Sequence, residues 1–205
     1  VQRAKMNLGA GKTVTAHLNS SDLTAIKESA VIGLAMNSSK LAASNTETQI
    51  NLAGGSTVSA DRTDAGTGAV GLFINYGQAN INSGAKVEVE RTAINAANSN
   101  AVGVYAVNGS DVVNDGSISV GGDSSIGVLG LSYRIDSKTG LAINPADETY
   151  YSNVITNNGT KFGTVNVENG ATGKITMDND GAVGIFVKNN SIDKNSFGNY
   201  VVTNP

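Results

Sequence analysis

Few side chains in this sequence suit covalent or metal chemistry, and those few are scattered. Histidine occurs once and cysteine is absent. A Ser/His/Asp relay can therefore form at one place at most, and zinc sites built on His and Cys are excluded by count. The neighbours of His17, Thr15-Ala16 and Leu18-Asn19, carry no nucleophile signature, so a plain surface or strand-end position accounts for it. Asp178-Asn179-Asp180-Gly181 is oxygen-rich like a calcium loop but lacks the acidic ligand an EF-hand places downstream. It suits a corner held by Asn and Asp side chains. Gly9-Ala10-Gly11-Lys12-Thr13 resembles the end of a phosphate-binding loop, yet its upstream half is missing and a strand pattern follows. Acid/base cleavage of polysaccharide needs clustered carboxylates. Asp111, Asp115 and Asp123 instead fall at the corners of one repeat, with no pair in matching register on its neighbour. The expectation is no enzyme, no catalytic residue, no metal and no cofactor.

What would position any site is a repeat. Ala101-Val102-Gly103-Val104-Tyr105-Ala106-Val107-Asn108 has relatives at Val31 to Asn37, Ala69 to Asn75, Ser125 to Leu131 and Ala182 to Val187, each with a small or apolar pair, a glycine, then alternating apolar positions. A second motif lies between successive copies: an apolar residue and Asn, a glycine, then an alternating pair. It reads at Met6-Asn7, Ile50-Asn51, Ile81-Asn82 and Val113-Asn114, and more loosely from Val165 to Met177. The shortest unit, Gly103 to Gly127, is 24 residues, whereas Gly33 to Gly71, Gly71 to Gly103 and Gly127 to Gly184 span 38, 32 and 57. Insertions of variable size on a fixed strand frame are tolerated when each coil touches only its neighbours. Independent domains of 24 residues could not bury a core. The fold expected is all-β: a parallel, right-handed β-helix of about five coils with variable-length insertions, one segment over residues 1–205 with 132–161 as a protruding insertion.

Composition agrees with a solenoid. The chain has 25 Gly, 6 Tyr, 4 Phe and no Trp, as expected of a turn-rich interior stacked from Val, Ile, Leu and Ala. A net charge of −3 provides no basic field for nucleic acid or an anionic membrane surface. No run is long and apolar enough for a membrane helix, and the first residues lack a signal-peptide pattern. Because both ends fall within the repeat frame, the chain reads as part of a longer rod.

Simple alternation places Ile32/Leu34/Met36, Val70/Leu72/Ile74, Val102/Val104/Ala106, Ile126/Val128/Gly130 and Val183/Ile185/Val187 in the core. The glycines then face outward with Ala35, Phe73, Tyr105, Leu129 and Phe186, an apolar stripe for which two readings stay open: an insertion covers it, or a partner binds it. Asn37, Asn75, Asn108 and Asn189 are expected to stack as an amide ladder. The excursion from Ser132 to Lys161 is either a solvated decoration or a contact surface. In the second case Tyr133, Arg134, Tyr150 and Tyr151 are its anchors, since Tyr and Arg dominate binding hot spots.

Asn114-Asp115-Gly116-Ser117-Ile118-Ser119-Val120, continuing through Gly121 to Val128, resembles the repeat of very large type V autotransporter adhesins, particularly those of fusobacteria. The resemblance extends through the surroundings of Gly103, Gly127 and Gly184 and stops at the long insertions. It implies an exported passenger displayed on the bacterial cell surface, with an outer-membrane barrel downstream. The partner it implies is a protein or glycan of host cells or of other bacteria. The absence of Cys is consistent with such export, and equally with a reducing cytosol. A polysaccharide-active β-helix enzyme and a purely structural spacer are the alternatives.

Overall fold

A computed structural model describes residues 4–18, 31–37, 48–62, 68–75, 77–90, 101–107, 109–131, 134–135, 142–143, 165–178, 180–188, 191–194 and 200–203. Three strands make each coil. The first holds β1 (Lys5–Leu8), β2 (Thr13–Leu18) and β3 (Val31–Asn37), and the second β4 (Gln49–Leu52), β5 (Thr57–Arg62) and β6 (Ala69–Asn75). The third holds β7 (Gln78–Ile81), β8 (Lys86–Glu90) and β9 (Ala101–Val107), and the fourth β10 (Asp111–Asn114), β11 (Ser117–Val120) and β12 (Ile126–Leu131). After two short strands, β13 (Arg134–Ile135) and β14 (Ala142–Ile143), the fifth coil adds β15 (Asn166–Asn169), β16 (Lys174–Met177) and β17 (Val183–Lys188). Finally come β18 (Ser191–Lys194) and β19 (Tyr200–Thr203).

Like strands of successive coils pair in parallel, giving three five-stranded sheets: β1-β4-β7-β10-β15, β2-β5-β8-β11-β16 and β3-β6-β9-β12-β17. We call them sheets 1, 2 and 3. This is the expected parallel β-helix of five coils. The pairs β13–β14 and β18–β19 are antiparallel and separate from the three sheets.

The core is a set of apolar columns running up the stack, each step about 4.8 Å. Sheet 1 contributes Met6, Ile50, Ala79, Val112 and Val167; sheet 2 contributes Val14, Val58, Val87, Ile118 and Ile175. Sheet 3 adds Leu34, Leu72, Val104, Val128 and Ile185. In the three middle coils these side chains are almost wholly inaccessible. Each fully buried Val, Leu or Ile contributes about 1.5–3 kcal/mol of transfer free energy.

One part of the expected core register is corrected. Val70 and Val102 are only 8% and 7% exposed, but they lie outside the packed interior, and Ile32 and Val183 are each 39% exposed. The glycine beside each of them faces inward instead. A Cβ on Gly33 would sit 2.7 Å from Val58 Cγ1 and 2.7 Å from the Gly71 carbonyl oxygen; on Gly103 it would sit 2.5 Å from the Gly127 oxygen. Leu72 follows inward-facing Gly71 and is itself fully buried. The pleat therefore changes phase at the glycine, as at a β-bulge. Register runs through Ile32↔Val70 and Leu34↔Leu72 with no pair at the glycine between them. Glycine is required because an adjoining coil fills the space a side chain would need.

The predicted amide ladder is also displaced. Asn37 and Asn75 are in register, but the next partner is Val107, and Asn108 and Asn189 lie outside the described residues. The ladder the structure does contain is on sheet 1. Asn51 Nδ2 donates to Asn7 Oδ1 at 2.8 Å, Asn80 Nδ2 donates to Asn51 Oδ1 at 2.7 Å, and Gln49 Nε2 donates to Gln78 Oε1 at 3.1 Å. The four asparagines assigned to one motif position do three jobs, Asn7 sharing the place of Asn51. Asn51 sits on the outer face, and Asn82 is in a turn with Nδ2 donating to Leu52 O at 2.8 Å. Asn114 takes the inward place of Leu52 and Ile81, where its Nδ2 donates to Asn169 Oδ1 at 2.7 Å. Its coil turns in only two residues, Asp115 and Gly116, where the other four coils use four.

Candidate functional site

The three outer faces differ in chemistry. Sheet 1 presents Lys5, Gln49, Gln78, Asp111 and Asn166 in one column and Asn7, Asn51, Asn80, Val113 and Glu168 in the next. Asn166 Nδ2 donates to Asp111 Oδ1 at 2.9 Å. Sheet 2 presents hydroxyl and charged columns such as Thr15, Ser59, Glu88, Ser119 and Thr176. Sheet 3 is apolar. One of its columns is Ile32, Val70, Val102, Ile126 and Val183; the other is Ala35, Phe73, Tyr105, Leu129 and Phe186.

Three residues named from the sequence thus stand on one line. The pleat makes them outward-facing, and the ladder makes Phe73 and Tyr105 immediate neighbours. Their rings meet edge to face, with centroids 5.6 Å apart at 64°, the arrangement in which a positive ring edge meets a negative ring face. Phe186 lies two coils on, beyond Leu129, and is 44% exposed. Across four steps the column runs about 19 Å at the standard strand spacing. Within β3, β6, β9, β12 and β17 Lys188 is the sole charged residue. Such a face can bury rings or aliphatic groups of a partner, and the phenol of Tyr105 is the one titratable group in its two columns.

Tyr133, Tyr150 and Tyr151 lie outside the described residues. Arg134 belongs to the two-residue antiparallel pairing with β14, opposite Ile143.

The acids follow a different pattern from the one expected. Asp61 and Glu90 occupy the same register on adjoining coils, with His17 on the far side of Asp61. His17 Nδ1 lies 3.0 Å from Asp61 Oδ2, the ring itself being exposed. Asp61 Oδ1 is inaccessible and has no hydrogen-bond partner. Sequence reasoning missed this trio because His17, Asp61 and Glu90 are separated by intervals of unequal length, and only the ladder aligns them. Asp111 lies on the outer face of sheet 1, and Asp115 and Asp123 sit in turns. Among the described residues no group of three or more His, Asp or Glu side chains is placed to hold a metal ion. No helix among them is long and apolar enough to cross a membrane.

The geometry defines a parallel β-solenoid with one apolar and two polar outer faces. No protein-family model matches the chain, and neither the curated proteins nor the solved structures provide a match to it.

Proposed function

We propose that the chain is a segment of a cell-surface adhesin passenger, a rod that contacts a protein or glycan of host cells or partner bacteria through the outer face of sheet 3. The observation that carries this reading is the uncharged column of half-buried Phe73, Tyr105 and Leu129 and exposed Phe186 on a scaffold whose other faces are polar. Soluble proteins seldom leave a contiguous apolar strip without a use, and aromatic residues are enriched where partners bind. The repeat's likeness to fusobacterial type V passengers supports the surface setting. It also brings the expectation of a downstream barrel.

The test is binding of labelled chain to host cells, bacteria and a glycan array, beside the variant Phe73→Ser/Tyr105→Ser. The expected result is saturable binding that the double variant loses while keeping its β-sheet circular dichroism. Undiminished binding by a folded double variant would move the contact elsewhere, first to the 132–161 excursion. Binding to nothing would favour the spacer. The in-register Asp61 and Glu90 favour a second reading, polysaccharide cleavage, because paired carboxylates on adjoining positions are what glycoside hydrolysis uses. Turnover of a polysaccharide that disappears in Asp61→Asn and Glu90→Gln would establish it over the first.

A further inference from the structure

The outward positions of β4 and β7, in the second and third coils, are all filled by amides. Gln49 stands beside Gln78 and Asn51 beside Asn80, and all four are half-buried. They mark the corners of a rectangle about 4.8 Å along the stack and about 6.6 Å along the strands. None is charged, whereas the same two coils carry Asp61, Lys86, Glu88 and Glu90 on sheet 2. Asparagine is depleted in strands. Its use at Asn7, Asn51 and Asn80 in succession therefore has a reason that backbone preference does not supply.

The ladder bonds are part of that reason, but they use only part of what the amides offer. A primary amide has two N–H donors and an oxygen with two lone pairs. Asn51 gives one N–H to Asn7 and accepts one from Asn80, so one donor and one lone pair remain. Gln78 accepts from Gln49; among the described residues, Gln78 Nε2 and Gln49 Oε1 take no partner and are not inaccessible. Each of the four amides thus keeps at least one donor and one acceptor outside the ladder, and the pattern repeats in a straight line from coil to coil. Asp111 and Asn166 continue the glutamine column with further hydrogen-bonding groups.

We propose that the outer face of sheet 1 binds a neutral, extended polysaccharide lying along the stacking axis, its hydroxyls paired with these amides. A hydroxyl is donor and acceptor at once, so two neighbouring sugar hydroxyls match the donor and acceptor that an amide holds side by side. The units of a β-1,4-linked chain repeat at close to the coil spacing, and successive sugars therefore meet successive coils; a helical glucan leaves the line. An anionic polymer finds no cation on β4, β7 or β10 and would run onto Asp111. A peptide strand pairs with sheet edges rather than with faces. One border of the face is open as well, because the turn from sheet 1 to sheet 2 is four residues or fewer in every coil. This surface is separate from the apolar column of sheet 3 and does not rest on the reading given to that column.

The test is calorimetric titration of the 205-residue chain with cellohexaose, maltohexaose and a heparin hexasaccharide. Cellohexaose is expected to bind saturably, about tenfold or more tightly than either of the others. Gln49→Thr/Gln78→Thr puts a good strand residue in both places and leaves the asparagine ladder whole; it should keep its β-sheet circular dichroism and bind cellohexaose about tenfold more weakly or worse. Val113→Asn supplies the amide missing beside Asn80 and should tighten binding about threefold, whereas a purely structural ladder would raise the melting midpoint and leave affinity unmoved. Phe73→Ser/Tyr105→Ser should bind cellohexaose like wild type, which separates this surface from sheet 3. The proposal is overturned if cellohexaose does not bind, if heparin binds more tightly, or if either sheet 1 variant binds cellohexaose like wild type. It is overturned equally by a dimer that the glutamine double variant abolishes, since the amides would then be meeting a second copy.

Discussion

Replacing Gly103 by alanine adds one methyl group and tests the inward glycine column directly. The new Cβ would lie 2.5 Å from the Gly127 carbonyl oxygen, 3.0 Å from Val120 Cγ2 and closer still to Ile118 Cγ2. The methyl groups can turn, but the oxygen belongs to the backbone of β12, which is held by β9 on one side and β17 on the other. Relief therefore requires the third and fourth coils to part locally. Overpacking of this kind costs about 1–3 kcal/mol. At about 2–4 °C per kcal/mol for a chain of 150–250 residues, the melting midpoint should fall by about 2–12 °C in calorimetry of dilute protein. Gly184→Ala is the matched control. It changes the same motif position, where φ is likewise not positive and the space is open. There only the reduced freedom of the unfolded chain acts, stabilising by about 0.4–1 kcal/mol. If Gly103→Ala melts with wild type, or Gly184→Ala falls as far, the close approach of coils is not the reason for the glycines.

Three further outcomes are expected. Val104→Asp, which buries an unpaired charge among the core columns, should cost about 4 kcal/mol or more in urea unfolding, whereas Val183→Asp should change stability by about 0.5 kcal/mol or less; equal losses would refute the phase change at the glycine. Asn51→Ala breaks amide bonds to both Asn7 and Asn80, and a loss of about 1–3 kcal/mol is expected in chemical denaturation, so full retention of stability would show the ladder to be ornamental. A double-mutant cycle on Phe73 and Tyr105 should return a coupling of about 0.5–1.5 kcal/mol, and zero coupling would deny the ring contact.

The solenoid was legible because the glycine-centred strand repeats often enough to be seen through insertions of unequal length. Its five copies are the five strands of sheet 3. What simple alternation missed is the inversion at the glycine. A period of two assumes an unbroken pleat, and nothing in Val102-Gly103-Val104 distinguishes a glycine tolerated on the surface from one demanded by a neighbouring coil. Stacking order could not be read from single coils either. Asn51, Asn82 and Asn114 look equivalent, but the missing pair of turn residues after Asn114 and the Ala79-Asn80 step in β7 give them different places. Of the candidate site, Phe73, Tyr105 and Phe186 were recognisable because large rings are scarce in this chain. The His17, Asp61 and Glu90 alignment was hidden, since it exists only once the coils are stacked.

The ladders also determine how the molecule responds to force. All three sheets hydrogen-bond from coil to coil, so those bonds lie along the stacking direction, and tension applied at the two ends pulls on one junction at a time rather than shearing many together. Coils should peel off in turn. The unit from Gly103 to Gly127 spans 24 residues, so its loss exchanges about 4.8 Å of stacked height for about 80 Å of extended chain. The units of 32, 38 and 57 residues release proportionally more. Unequal insertions thus give each coil its own step length, and the order in which a pulled molecule yields can be read from the sizes of its steps.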